Sequence, residues 1–506
     1  MRTHILCAAI AISGALSLLI TPTHRLPDNV DAFTVPVTRI SDAHAQKPLR
    51  HSNPKLGATG RKFRVKEQTD DICRAGSRQW TGWIDISEEK SLFFWFFESR
   101  HEPSTDPVVV WLNGGPGGSS LMGLFSEIGP CLTNQDNNDT ILNKHSWTNF
   151  ASVLFIDQPA GVGFSKINNG TTGGPDNEVE VAQDLNIFLH SFFTEVFPGF
   201  AHQPFHIAGE SFGGTYVPGF VDFVSRRAAM GVPGIISRPI QSIILIDAVI
   251  DIVGSGALGE YDHMCRFNKD GRNQLKLGLN RTACDEIEKS VQECERLNRQ
   301  CIDTYDGHIC KAAWSFCDVH IESLLQSGPV ARNVYDDREP CHGELPFCGK
   351  VMYDTYLNLP KVQAALGVDW IFSAINRDLN TRWEASLGFY LPTTRELQYI
   401  LDNTGTRVLA LNGNNDIIVN TEGQKRVYDQ QPWNHQARYR LEKFAEWTWP
   451  DESGNLTKGG EVKSADKLTF VSVDEAGHTS PGDQKQAVGW IMKCWLHQRT
   501  DATCVV

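Results

Sequence analysis

The 506-residue chain has no Cys-x-x-Cys pair, no excess of basic residues and, beyond its first twenty positions, no long apolar run. Each absence excludes something. Structural zinc sites favour Cys-x-x-Cys spacing, so no metal is expected, and no other cofactor is called for. A formal net charge of −13 argues against nucleic acid or an anionic membrane surface, both of which select basic proteins. A bilayer span needs about 20 predominantly apolar residues, and the C-terminal Thr500-Asp501-Ala502-Thr503-Cys504-Val505-Val506 is no lipid-anchor signal, so no membrane anchor is expected. No internal repeat or low-complexity tract stands out. Hydrophobic content of 41% with 21% charged residues is ordinary globular composition, in one large domain or two or three smaller ones.

What is present begins with an export signature. Arg2 and His4 precede an apolar stretch from Ile5 to Ile20, broken by Thr21-Pro22, which predicts a signal peptide over residues 1–20. Ser13, Gly14 and Ser17 inside it make a membrane anchor a poorer reading. Residues 21–60 are polar and rich in Pro and His, and read as a propeptide or flexible arm. Of 13 cysteines, Cys7 falls in the signal, leaving an even set suited to disulfides in an oxidising compartment. Sequons at Asn138, Asn169, Asn280 and Asn455 are acceptable glycosylation sites. The expectation is a secreted protein; delivery to a vacuole or lysosome-like compartment is the alternative, and the oligomeric state is left open.

Short continuous apolar runs at Leu92–Phe97, Val108–Leu112, Val153–Ile156 and Ile243–Ile246 suit strands buried on both faces. Between them, Glu178–Leu189 has helical period. This alternation predicts an α/β fold with a central, mostly parallel sheet flanked by helices. The stretch from Gly254 to Leu345 is polar and cysteine-dense. Cys294, Cys301, Cys310 and Cys317 are spaced seven, nine and seven, and seven residues are about two helical turns. Two antiparallel helices turning at Asp306-Gly307 would then close nested bridges, Cys294–Cys317 and Cys301–Cys310. Cys265, Cys284, Cys341 and Cys348 are expected to form disulfides too, whereas Cys73, Cys131, Cys494 and Cys504 have no assignable partners. The predicted organisation is a catalytic core over 61–253 and 346–506, interrupted by a stapled helical lid over 254–345.

Three segments carry chemistry. Gly209-Glu210-Ser211-Phe212-Gly213 places a serine between a strand-like run, Phe205–Ala208, and a helix-like one. Asp416 follows the strand-like Val408–Leu411, and His478 follows Leu468–Val473. Serine, acid, histidine is the chain order of an α/β-hydrolase, with each residue just past a strand's carboxyl end. Ser211 would attack, His478 would act as its base, and Asp416 would fix the imidazole's tautomer and stabilise the imidazolium. Asn113-Gly114-Gly115-Pro116-Gly117 follows another buried strand; it is either an oxyanion loop or a tight turn before a helix.

Asn113–Gly117 and Gly209-Glu210-Ser211 resemble the signatures of the serine carboxypeptidases. The resemblance continues through Glu127-Ile128-Gly129-Pro130, Asp157–Ser165, Tyr356-Leu357-Asn358 and Gly477-His478, from about Trp80 to His497. It implies a triad of Ser211, Asp416 and His478, an oxyanion hole at the N–H groups of Gly115 and Phe212, and a grip on the substrate's terminal carboxylate by Asn113, Gly114 and Glu210 with Glu127 in support. Two carboxyls at hydrogen-bond distance share a proton, so activity should favour acidic pH. The implied partners are peptide or protein C-termini, cleaved through an acyl-enzyme. A serine-carboxypeptidase-like acyltransferase or esterase is the alternative, and a non-enzymatic binding protein is disfavoured by the intact triad. The chain departs from the family pattern at Gly118 (commonly Cys), at Thr479-Ser480 (usually Met-Val), at Asp247-Ala248 (usually Asn-Gly) and at Gly413-Asn414-Asn415 before the acid. Asp251, Asp474 and Asp483 are expected to be structural.

Overall fold

Buried runs that read as apolar without alternation occupy the middle of a 13-stranded sheet. The computed structural model describes residues 55–56, 60–167, 174–266, 281–326, 333–339, 341, 352–498 and 504. The expected signal peptide, Asn169, Asn280 and Cys348 lie outside them. The strands are β1 Lys55–Leu56, β2 Lys62–Gln68, β3 Gln79–Asp85, β4 Lys90–Phe97, β5 Val108–Leu112, β6 Ser152–Asp157, β7 Lys166–Ile167, β8 Phe205–Glu210, β9 Ser242–Ile246, β10 Arg407–Gly413, β11 Ala445–Pro450, β12 Leu456–Ala465 and β13 Leu468–Val473. Their order is β1-β2-β3-β4-β6-β5-β8-β9-β10-β13-β12-β11, with β7 paired to β4. The six central strands from β6 to β13 are parallel. Antiparallel strands extend both flanks.

Continuous hydrophobicity has a direct cause here. Successive strand residues point to opposite faces, so both faces must be covered. In β4, Phe93, Trp95 and Phe97 join one core cluster, while Phe94 and Phe96 join the other. In β5, Val109 and Trp111 face one side, and Val108, Val110 and Leu112 face the opposite one. Helices α1 (Glu178–Ser191) and α2 (Gly213–Ala229) cover the second side with Leu185, Phe188, Val217 and Phe220.

Among the described residues of the cysteine-dense insertion, the two longest helices are α3 (Arg281–Thr304) and α4 (Gly307–Cys317). The Asp306 side chain caps α4 by accepting N–H groups of His308 and Ile309. Cys294–Cys317 and Cys301–Cys310 staple the pair as nested bridges, and Cys265–Cys284 ties the start of α3 to the preceding segment. Cys341 is also disulfide-bonded. The structure supplies the pairings that spacing left open: Cys73 with Cys131 and Cys494 with Cys504. The hairpin rests on the core where Asn298 Nδ2 donates to Asp251 Oδ2 at 2.7 Å and Tyr305 donates to Glu396 Oε1 at 2.9 Å. Helix α5 (Arg377–Ala385) packs Leu379 and Trp383 against Phe212, and helix α6 (Lys485–Leu496) covers the first side of the sheet with Val488, Ile491 and Trp495.

Asn138 and Asn455 are exposed on turns. Among the described residues, no helix is long and apolar enough to cross a membrane.

Replacing Cys294 and Cys317 together by Ser opens a loop of sequence separation 23. The expected cost is about 2–4 kcal/mol. It should register in hydrogen exchange as faster exchange in α3 and α4, with the central strands still protected.

Candidate active site at the carboxyl edge of the sheet

The strand β8 ends at Glu210, and the chain reverses through Ser211 into α2. Ser211 has φ of 58°, the left-handed region that a non-glycine residue enters only when its surroundings enforce it. The surroundings do. Ser211 N–H donates to Ile246 O at 3.0 Å, and Ser211 O accepts from Gly214 N at 2.9 Å and Val249 N at 2.9 Å. Gly209 is required because a Cβ there would stand 2.6 Å from Val217 Cγ2 and 2.8 Å from Gly213 O. The serine is thereby presented, partly exposed, on a rigid elbow between strand and helix.

Because β8, β10 and β13 run parallel within one sheet, their carboxyl ends share an edge. Glu210 pairs with Ile246, Ile246 with Leu411, and Leu411 with Val471. The residues just past these ends are Ser211, Asp416 and His478. Asp416 is fully buried, and His478 Nδ1 lies 2.7 Å from Asp416 Oδ2. Asp416 Oδ1 accepts Val419 N–H at 3.2 Å. The His478 backbone N–H donates to Tyr335 O at 2.8 Å, and the Tyr335 ring lies 5.1 Å from the imidazole, centroid to centroid.

A buried polar cluster adjoins the serine. Asn113 Oδ1 accepts from Trp111 Nε1 at 2.7 Å and from Gly123 N at 3.0 Å. Two donors on one oxygen settle the amide's orientation, so its NH2 faces Glu210 and donates to Oε1 at 2.8 Å. Glu127, on the short helical turn Gly123–Glu127, brings its carboxyl against that of Glu210. Both are buried, and Glu210 Oε2 and both Glu127 oxygens find no N–H or O–H donor in the surrounding side chains and backbone. A proton between the carboxyls is the group that satisfies them. Burial pushes both up from the ordinary carboxyl range, and Glu210 well above it, since Glu127 and Asp247 crowd it with negative charge. Glu127 is eased by Lys485 and His478 nearby. The two carboxyls therefore share the proton, and Glu210 is the more strongly raised of the pair.

The glycine loop lies directly on the nucleophile's turn. A Cβ on Gly114 would stand 2.3 Å from Phe212 N and 2.7 Å from Glu210 O. Gly115 has φ of 115° and Gly117 of 94°, conformations open to glycine. Gly118 N–H closes the loop on Gly114 O at 2.8 Å. Behind it, buried Asp157 accepts from Ser119 Oγ at 2.5 Å, Ser120 N at 3.1 Å and Phe164 N at 2.8 Å. Burial lifts its carboxyl to about 6. Asp157 anchors the loop, a role the motif Asp157–Ser165 did not disclose.

Sequence reasoning also missed Tyr335, Lys485 and Asp247. Tyr335 sits in a polar stretch with no pattern to mark it. Asp247, recorded only as a departure from Asn-Gly, stands just past β9, a position that strand reading could have flagged. Asp251, Asp474 and Asp483 hold structural contacts: Asp251 to Val253 N and Asn298, Asp474 to Asn414, and Asp483 to Gly477 N and Arg338.

A serine elbow, a buried acid–histidine pair and a glycine loop on one edge of this sheet define an α/β-hydrolase. The sequence profile of the family described as serine carboxypeptidase matches residues 71–498, and the chain belongs to that family. It is 30% identical to the vacuolar serine-type carboxypeptidase ATG42 of Saccharomyces cerevisiae, covering 88% of this chain and 86% of the relative. It is 33% identical to carboxypeptidase Y homolog A of Talaromyces marneffei, over 83% of this chain and 72% of the relative. A crystal structure of Kex1(delta)p, a prohormone-processing carboxypeptidase from Saccharomyces cerevisiae, shares the fold with a TM-score of 0.69 at 20% identity, covering 87% of this chain and 97% of that one.

Two expectations follow from the geometry. Gly114→Ala should cost about 1–3 kcal/mol by overpacking, read as a lower denaturant midpoint. Glu210 keeps in the fold a proton that the unfolded chain releases above about pH 4.3, so stability is greatest below that pH and falls as pH rises toward the folded value. In Glu210→Gln the melting temperature should therefore fall less between about pH 4 and pH 8 than in the wild type.

Proposed function

We propose that the protein is an exported serine carboxypeptidase that removes C-terminal residues from peptides and proteins through an acyl-enzyme, with acidic pH favoured. The observation that carries this reading is the buried Asn113–Glu210–Glu127 cluster beside Ser211. An endopeptidase or general esterase has no use for a protonated acid and an oriented amide next to its nucleophile. A free α-carboxylate has: it accepts hydrogen bonds from the Asn113 NH2, the Gly114 N–H and the Glu210 proton.

With the terminal carboxylate held there, the last peptide carbonyl lies over Ser211. His478 Nε2 removes the Ser211 proton as Oγ bonds to the carbonyl carbon, while Asp416 supports the imidazolium through Nδ1. The carbonyl oxygen becomes an oxyanion and is held by the N–H groups of Gly115 and Phe212. Collapse breaks the C–N bond, His478 returns its proton to the leaving amine, and the C-terminal amino acid departs. Water activated by His478 then attacks the Ser211 ester and restores the serine. Thr479, in place of the usual Met, stands next to His478 and bears on the preference for the leaving residue.

Ionisation of Glu210 removes the donor and sets a second negative charge before the substrate's own carboxylate. Binding therefore weakens as pH rises, which appears as a rising KM. The cysteine pairs and export signature favour the secretory pathway as its route.

The deciding experiment compares kcat/KM for a blocked dipeptide and its C-terminal amide between about pH 4 and pH 8. A strong preference for the free acid at low pH, eroding through KM as pH rises, is expected. Ser211→Ala should lose at least about 10³-fold in kcat and resist a serine-directed phosphonylating reagent. Esters and amides turned over as well as the free acid, with peptides poor substrates, would transfer the assignment to an esterase or acyltransferase.

A further inference from the structure

Three turns carry Ser211, Asp416 and His478, and one further turn touches all three. It follows β9. Its backbone holds the serine elbow, since Ser211 N–H donates to Ile246 O at 3.0 Å and Val249 N–H donates to Ser211 O at 2.9 Å. Asp247, within it, is fully buried and left-handed at φ 44°. Its Oδ1 accepts Gly413 N–H at 2.7 Å, and its Oδ2 accepts the Ser480 hydroxyl at 2.6 Å. Gly413 opens the turn that presents Asp416. Ser480 stands two residues beyond His478. Asp247 N–H donates to Leu411 O at 2.8 Å, and Gln424 Nε2 donates to Ala248 O at 2.8 Å, so the turn is fastened to β10 and to the helix beyond it as well.

Two of the chain's departures from the family pattern therefore meet in one hydrogen bond. Asparagine offers a single side-chain oxygen, and valine offers no hydroxyl. An aspartate at 247 supplies a second oxygen, and a serine at 480 supplies the donor that uses it. We propose that Asp247 is a positioning residue for the acid–histidine pair: its one carboxyl clasps the Asp416 turn at Gly413 and the His478 turn at Ser480, and its backbone fastens both to the nucleophile's elbow. This rests on the reading of Ser211, Asp416 and His478 as the triad.

The clasp acts through geometry. Gly413 and Ser480 are bonded to the two oxygens of one rigid carboxyl, which fixes the separation of the turns and with it the 2.7 Å contact between His478 Nδ1 and Asp416 Oδ2. The titratable acids that face Asp247 are Asp416 and Glu210. Burial, and then Asp416, push its carboxyl well above the ordinary range.

The test reads the second-order rate of Ser211 modification by a serine-directed phosphonylating reagent against pH, in the full-length protein. The reagent carries no carboxylate, so the Glu210–Glu127 pair does not enter. Reaction of the wild type tests the nucleophile; ratios among variants test Asp247. Asp247→Ala should lower the plateau rate by roughly tenfold to hundredfold, as expected when a catalytic group is displaced by a fraction of an ångström or more. It should also move the acid-side midpoint to lower pH, because a loosened Asp416 supports the imidazolium less. A merely structural defect reduces the active fraction and leaves that midpoint in place. Ser480→Ala, which removes one arm, should shift both quantities in the same direction by less, and it serves if Asp247→Ala fails to fold. Asp247→Asn keeps the arm to Gly413 and can donate to Ser480 Oγ, so it should recover part of the rate lost in Asp247→Ala. An unmoved midpoint in both Asp247→Ala and Ser480→Ala overturns the proposal. So does an Asp247→Asn as impaired as Asp247→Ala, which would make the residue a charge and not a clasp. A wild type inert to the reagent overturns the triad reading and the clasp with it.

Discussion

Two carboxyls buried side by side, with a single amide donor on one of their four oxygens, can carry one full negative charge between them and must share a proton. That constraint shapes everything around Glu210. Glu127 faces Lys485 and His478 as well as its partner, whereas Glu210 faces Glu127 and Asp247, so the carboxyl next to Ser211 is the more strongly raised of the two. Asn113 can complete the arrangement only because Trp111 and Gly123 occupy its oxygen and leave its NH2 for Glu210. The glycine loop can lie on the elbow only because Gly114 has no side chain to hold Phe212 and Glu210 away. A polar cluster is thus assembled from acids, in a place where water cannot screen them.

The sheet supplies the frame for that chemistry. Parallel strands β8, β9, β10 and β13 end on one edge, and each hands a different polar residue to it: Ser211, Asp247, Asp416 and His478 in sequence order. The strands are buried on both faces by aromatic layers, which leaves their carboxyl ends as the place where polar groups converge. The stapled helices α3 and α4 are polar on the outside and share a small apolar cluster with the segments around Val253 and Ile321. Nested disulfides hold the two helices to each other, and contacts through Asp251 and Glu396 hold the pair to the core.

Much of this was legible from local pattern. The runs at Leu92–Phe97 and Val108–Leu112 read as doubly buried strands because nothing in them alternates, and the 3.6-residue period of Glu178–Leu189 read as a helix. The pairings Cys294–Cys317 and Cys301–Cys310 were readable because seven-residue spacing repeats on both arms of one hairpin. Cys73–Cys131 was not, since 58 residues separate the pair and no period links them. Cys494–Cys504 has close spacing, yet one partner lies on a helix and the other beyond its end, where pattern carries no direction.

Sequence by itself determined the chain order of serine, acid and histidine, the alternation of strands and helices and the glycine-rich loop, because these depend on residue type and short spacing. The tertiary structure alone decided that Glu127, 83 positions before Glu210, shares its proton, that Tyr335 backs His478, and that Asp247 joins three turns. The physical reason is that burial and charge are properties of a neighbourhood. A carboxyl's proton depends on which groups surround it in space, and parallel strands bring together residues that the chain keeps far apart.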